Sequence, residues 1–90
     1  MTKDVLRNKI EAIFDCYEEL TAFTKTTFND IIFPYCYDDY VSEHRCLLFA
    51  KTQCDNILAI MRQDLLDYDV LTKASYYIEK RLKTIEDERE

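Results

Sequence analysis

The sequence predicts an all-α protein: a small bundle of three main helices plus one short helix, in a single domain over residues 1–90. Three observations support this prediction. The chain has no glycine and one proline, Pro34, which disfavours tight hairpins and other turns that need positive φ angles. Apolar residues recur every three or four positions along most of the chain, as on the buried face of a helix. No segment alternates apolar and polar residues for long, as a half-buried strand would.

The first predicted helix begins after a cap at Thr2 or Asp4 and runs to about Phe23. Five apolar residues at helical spacing give it one buried face: Leu6, Ile10, Ile13, Tyr17 and Leu20. Charged residues fall on its other side, so the helix is expected to lie at the surface of the bundle.

The middle of the chain is predicted to be less regular. The sequence TKTT at 24–27 interrupts the apolar spacing and is interpreted as a connection. A short helix is expected over 28–33, with Thr27 as its cap. Pro34 is expected to end it, because proline disfavours the helical conformation in the residue before it. Residues 35–39, YCYDD, then form a connector.

A long helix is predicted to begin near Tyr40, after a cap at Asp38 or Asp39, and to extend as far as Leu66. At about 1.5 Å per residue it would be roughly 40 Å long. Such a length is large for a small domain, so we expect this helix to kink or to extend into a partner subunit.

The last helix is predicted from Val70 to about Asp87, capped by Asp67 or Asp69. A chain of this size buries only about 60–65% of its unfolded surface. Association into a homodimer is therefore expected to supplement its core.

Acidic residues are concentrated in one region of the chain. Residues 11–43 contain eight acidic side chains and one basic side chain, Lys25, a local charge of −7, whereas the whole chain carries −6. A one-sided field of this kind suits a basic partner. It disfavours direct binding to nucleic acid, because lysine and arginine contacts to phosphates supply most of the non-specific affinity.

Acidic and tyrosine side chains of this region are the candidate partner-binding residues. On the first helix the acids recur at steps of about 5–6 Å, and phosphates along a DNA strand at about 3.4 Å, so the row could imitate every second phosphate or follow the groove edge obliquely. Tyrosine is enriched at interface hot spots. An ordinary solvated surface with capping aspartates is the alternative interpretation. The predicted set is Glu11, Asp15, Glu18, Glu19, Asp30, Tyr37, Asp38, Asp39, Tyr40 and Glu43.

The residues indicate no enzymatic site, cofactor or metal. Without glycine, a Walker loop and a dinucleotide-binding fingerprint are excluded. The single histidine, His44, has Ser42 and Cys46 two positions away, where side chains point to different sides of a helix. A zinc site formed by Cys36, His44, Cys46 and Cys54 is conceivable, but the spacing differs from that of zinc ribbons and fingers.

A cytoplasmic location is predicted from the lack of targeting and membrane signals. No apolar run approaches the roughly 18 residues of a membrane span, and the first ten residues lack the apolar core of a signal peptide.

The chain resembles the Arn-type anti-restriction proteins of T-even phages. The resemblance rests on size, on the acidic stretches EAIFDCYEEL (11–20) and YCYDDYVSE (35–43), on the absence of glycine and on the lack of a catalytic set. It implies a homodimer whose joined acidic faces imitate duplex DNA. The implied partner is a basic DNA-binding protein, such as a McrBC-type restriction endonuclease or a histone-like nucleoid protein.

A second functional class is also compatible with the sequence. A helical protein–protein interaction module, such as an immunity protein or a transcription modulator, would bind its partner through apolar and tyrosine contacts. Neutralising the first-helix acids is expected to impair a DNA mimic, whereas truncating Tyr37 or Tyr40 is expected to impair a packed interface.

Overall fold

The structure, a computed structural model, describes residues 10–38 and 40–88. All regular secondary structure in them is helical, which confirms the all-α fold class. Thr2 and Asp4, the predicted caps, and Asp39 of the partner-binding set lie outside these residues. The elements are α1 (Glu11–Glu19), α2 (Ala22–Thr27), a π-helical turn (Phe28–Ile32), α3 (Phe33–Cys36), α4 (Glu43–Ile60) and α5 (Leu66–Glu88).

The longest helix, α5, is the centre of the bundle and packs against both α4 and α1. Its buried side follows helical spacing: Val70, Leu71, Ala74, Ile78 and Leu82. The π turn packs on α4 and is also tied to α1, because the Tyr17 hydroxyl donates to Asn29 Oδ1 at 2.9 Å. One core therefore joins all the elements and orients α1 on its surface.

The first helix ends earlier than predicted. Leu20 and Thr21 have extended ψ angles of 154° and 161°, so the prediction of a helix reaching Phe23 is wrong. The backbone N–H of Thr21 donates to Asp67 Oδ1 at 3.0 Å, which satisfies that amide outside a helix. The predicted connection at 24–27 is also wrong, because these residues belong to α2.

Pro34 lies inside a helix rather than at its end. The predicted stop after 28–33 is therefore wrong, as is the predicted cap at Thr27, which has helical φ and ψ angles. In the π turn, the N–H of Phe33 donates to the carbonyl of Phe28, five residues back. A proline ring crowds the carbonyl four residues before it. We infer that this wider turn relieves the crowding and lets the helix continue into α3.

Helix α4 begins at Glu43 because Ser42 caps it. The Ser42 hydroxyl accepts a hydrogen bond from the Arg45 N–H at 3.2 Å, in the geometry expected of an N-cap. The predicted cap at Asp38 or Asp39 is therefore wrong: Asp38 accepts instead from the N–H of Tyr40 at 2.9 Å.

Replacing Ser42 with alanine should lower the free energy of unfolding by about 1 kcal/mol, because the N–H at the third helical position loses its acceptor. Urea denaturation followed by circular dichroism measures this change. Thr52→Ala is the control: its hydroxyl donates to the carbonyl of Leu48 inside α4, where alanine is a better helix former. An equal loss in both variants would contradict the capping role.

The helix predicted over 40–66 is in fact interrupted. Helix α4 ends at Ile60, since Met61 has an extended ψ angle of 144°. Asp67 and Asp69 lie inside the first turn of α5, so neither precedes the last helix as predicted. The chain reverses direction between the two helices, and no long projecting helix forms in the described residues.

Candidate protein-interaction surface

The exposed side of α1 is acidic. At 3.6 residues per turn its four carboxylates fall within an arc of about 100°, and all four are exposed: Glu11, Asp15, Glu18 and Glu19. We call these four residues the acidic face. Phe14 and Tyr17 are buried on the core side of α1: the Phe14 ring stacks on Phe33 of α3, and the Tyr17 ring packs at a tilt against Phe28 of the π turn. Packing of these rings therefore directs the predicted acidic row outward.

A groove of about 620 Å³ lies along the surface where α1 and α5 pack together, and both helices line it. Its α1 wall is acidic and its α5 wall is basic, with three charged side chains on each: Glu11, Asp15 and Glu19 opposite Lys73, Lys80 and Arg81. Cys16 and Tyr77 also line the groove. Its formal charge is thus balanced, although the region of sequence that contributes α1 is strongly acidic.

The two walls run antiparallel. Burial raises the pKa of the Cys16 thiol, nearby Glu19 and Asp15 raise it further, and Lys73 opposes them. Lys73 therefore lies near the C-terminal half of α1. At the other end, Glu11 contributes to raising the pKa of Arg81.

Arg81 links the acidic face to the start of α4. Its Nε and Nη2 donate to the two carboxylate oxygens of Glu43, both at 3.0 Å. This bidentate pair is the main reason why the pKa of Arg81 is raised, and Glu11 adds to it. Glu43, a predicted partner-binding residue, thus makes an intramolecular contact. Because Arg81 also lies near Glu11, this contact places the end of the connector close to the N-terminal end of α1.

The partner-binding residues predicted in and beside the connector differ in solvent exposure. Tyr40 is 94% exposed, and Asp38 beside it is exposed as well. Tyr37 is half-buried and packs against the core. Asp30 is exposed on the π turn. Within the described part of the predicted set, Tyr40 is the aromatic side chain that a partner can reach without disturbing the fold.

Three apolar side chains that the sequence did not mark as surface residues are strongly exposed near the start of α2, the end of α4 and the start of α5. Phe23 is 88% exposed, Ile60 87% and Leu66 68%. The hydrogen bond between Thr21 and Asp67 brings the start of α2 to the start of α5, and α4 ends nearby. We call Phe23, Ile60 and Leu66 the apolar end. Exposed apolar groups of this kind often mark interaction sites.

Two cysteine side chains, Cys16 and Cys54, are not activated for nucleophilic chemistry. Burial raises the pKa of Cys54 to about 12, with Asp55 and Cys16 adding to the effect and Lys51 opposing it. The pKa of Cys16 is also raised. Since thiolates are the reactive form, both groups are protonated at neutral pH.

Metal binding and membrane insertion were also considered for residues 10–38 and 40–88. No three histidine, cysteine, aspartate or glutamate side chains converge there to hold a metal ion. The four residues considered as zinc ligands do not form one site. Cys36, Cys46 and Cys54 are buried, whereas the imidazole of His44 lies 3.3 Å from the carboxylate of Glu86. Over the same ranges, no helix has the length and apolar character needed to cross a membrane.

Comparisons with protein families, curated proteins and solved structures found no match for this chain. Function is therefore inferred from the residues and their geometry.

Proposed function

We propose that this protein is a non-enzymatic inhibitor that binds the DNA-contacting basic surface of a host protein through the acidic face of α1. It acts in the cytoplasm of a bacterial host, as a homodimer, by direct competition with DNA. A McrBC-type restriction endonuclease and a histone-like nucleoid protein are the candidate targets.

The observation that carries this proposal is the common orientation of the four α1 carboxylates. All are exposed, and helical geometry places them on one side of α1. Carboxylates spaced along a rigid helix can replace phosphates opposite lysine and arginine side chains of a partner. The core contacts of Phe14 and Tyr17 supply the rigidity.

The basic wall of the groove restricts how a partner can approach. Lys73 and Lys80 flank the acidic face on the α5 side and repel a basic surface. Glu18 does not line the groove, so it lies on the side of the acidic face away from these cations. The proposed contact is therefore centred on Glu18, Asp15 and Glu11.

Neutralising this centre with Glu11→Gln, Asp15→Gln and Glu18→Gln should weaken binding to the target by roughly 3- to 100-fold, because each exposed ion pair contributes about 0.2–1 kcal/mol. The target is first captured from bacterial lysate and eluted with duplex DNA. Its affinity for the purified protein is then measured by titration calorimetry over a range of salt concentrations, and should fall steeply with salt.

The control carries the same change of charge elsewhere. Asp69, Glu79 and Asp87 are exposed on α5, and Asp69→Asn, Glu79→Gln, Asp87→Asn should reduce affinity far less than the α1 variant. An affinity that is unchanged between low and high salt would show that electrostatic mimicry is the wrong mechanism. Equal losses in the two triple variants would assign the effect to total charge.

A helical interaction module is the second candidate, favoured by the exposure of the apolar end. Phe23→Ala with Ile60→Ala should then abolish partner binding, and Tyr40→Ala should weaken it, while the α1 triple variant has little effect. Tyr37 is a poor probe because it packs against the core. The same calorimetric titration distinguishes the two candidates.

A further inference from the structure

We propose that the groove between α1 and α5 binds a helix of a partner protein that carries basic residues along one edge and acidic residues along the other. This site shares Glu11 and Asp15 with the outward contact centred on Glu18 but also uses the cations of α5, so substitutions of Lys73 and Lys80 distinguish the two proposals.

The first argument is that the acidic wall and the basic wall line the same groove but form no ion pair with each other among the described residues. The ion pairs found within residues 10–38 and 40–88 involve none of Glu11, Asp15, Glu19, Lys73 or Lys80. These five charged groups therefore keep their capacity for strong contacts. A ligand lying between the walls can satisfy both rows at once.

Charge balance then defines the ligand. A purely basic ligand would be attracted by the α1 wall and repelled by Lys73 and Lys80 on the opposite wall. A purely acidic ligand would be attracted by the α5 wall and repelled by the α1 wall. Only a ligand with both signs on opposite edges gains from both walls, and like-charge contacts exclude the alternatives.

The spacing of the acidic wall suits a helix. Glu11, Asp15 and Glu19 follow each other at four-residue intervals and span about 12 Å along α1. Basic residues at i, i+4 and i+8 of a partner helix have the same spacing. The length corresponds to roughly two turns of the partner. Cys16 and Tyr77 also line the groove and can offer apolar contact to the partner helix.

One cation of the basic wall is held in position. The guanidinium of Arg81 donates two hydrogen bonds of 3.0 Å to the Glu43 carboxylate. This contact orients the guanidinium before any ligand binds. Preorganised groups lose less entropy on binding. Lys73 and Lys80 make no such intramolecular contact in the described residues and are therefore the better positions for substitution.

The test uses two synthetic helical peptides. Both carry lysines at i, i+4 and i+8 on one edge; the first has glutamates on the other edge, and the second has glutamines there. We expect the first peptide to bind about tenfold more tightly, because two additional ion pairs form with the α5 wall. Fluorescence anisotropy of labelled peptides measures both affinities.

Substitution of the basic wall should largely remove this preference. In Lys73→Gln with Lys80→Gln, the preference should fall to about twofold or less, because the remaining cation of the wall, Arg81, is already paired with Glu43. Lys83→Gln, an exposed site on α5 that does not line the groove, should keep the preference, and Glu11→Gln, Asp15→Gln, Glu19→Gln should weaken both peptides. Circular dichroism confirms that each variant is folded.

Two results would overturn the proposal: equal binding of the two peptides to the unmodified protein, or no binding of either at millimolar concentration. Neither bears on the DNA-mimic proposal, for which Lys73→Gln with Lys80→Gln should strengthen binding of a purely basic target by removing repulsion.

Discussion

Replacing Phe28 with alanine should lower the free energy of unfolding by about 3–5 kcal/mol, the range for a buried phenylalanine whose removal leaves a cavity. Phe28 has no exposed surface. Its ring centroid lies 5.7 Å from that of Tyr17 and 5.8 Å from that of Phe33, so one side chain connects α1, the π turn and α3. Urea denaturation followed by far-ultraviolet circular dichroism measures the loss.

Phe23→Ala is the matched control, since the same atoms are removed from a side chain that is 88% exposed. Its effect on stability should stay within about 0.5 kcal/mol. A loss below about 1 kcal/mol in Phe28→Ala would mean that the ring cluster does not hold α1 in place. The basis for a rigid acidic face would then be lost.

Asp67→Asn should lower the free energy of unfolding by about 2–4 kcal/mol at pH 7. The buried carboxylate accepts three hydrogen bonds: from the Thr21 N–H at 3.0 Å, and from the hydroxyls of Thr21 and Thr24, each at 2.5 Å. Hydrogen bonds to a charged group each contribute about 1.5–3 kcal/mol. Asparagine retains only one acceptor oxygen, so at least one of these donors faces its NH₂ group.

The contribution of Asp67 to the free energy of unfolding should depend on pH. Burial by itself raises the pKa of this carboxyl, but the hydrogen bonds from Thr21 and Thr24 outweigh burial and lower the pKa below its ordinary value. The ionised group therefore stabilises the fold fully above its unfolded pKa of about 3.9. This contribution is lost as the pH falls through the lower pKa of the folded state.

The stability difference between the unmodified protein and Asp67→Asn should accordingly shrink as the pH falls below about 4. Asp69→Asn is the control, because Asp69 is an exposed carboxylate in the same first turn of α5. Denaturation midpoints measured from pH 7 to pH 2 test this. A constant difference over that range would show that the charge of the Asp67 carboxylate does not stabilise the fold. An equal loss in the control would show that Asp67 acts only as a negative charge near the helix N-terminus.

The same carboxylate has a consequence for function. By holding Thr21 and Thr24, Asp67 brings α2 to the start of α5. Loss of Asp67 should therefore disturb the apolar end before it disturbs the acidic face. Asp67→Asn should therefore weaken binding through the apolar end more than binding through the acidic face.

Much of the candidate site could be predicted from the sequence. Glu11 and Asp15 share a face because four positions complete about one helical turn, whatever α1 packs against. Their exposure follows from the apolar residues opposite, such as Tyr17, which are drawn into the core. The cations opposite them could not be predicted, since no local pattern brings Lys73 beside Asp15.

Local periodicity alone determined the helical class, the buried stripes of α1 and α5 and the outward acidic row, because these depend on spacings of three and four residues. Tertiary structure decided where helices stop and what faces the acids. Thr21 leaves the helix because Asp67, 46 positions away in sequence, accepts its N–H, and the α5 cations face α1 because the buried side of α5 packs there. Contacts between residues so far apart depend on how whole helices pack, which neighbouring residues do not encode.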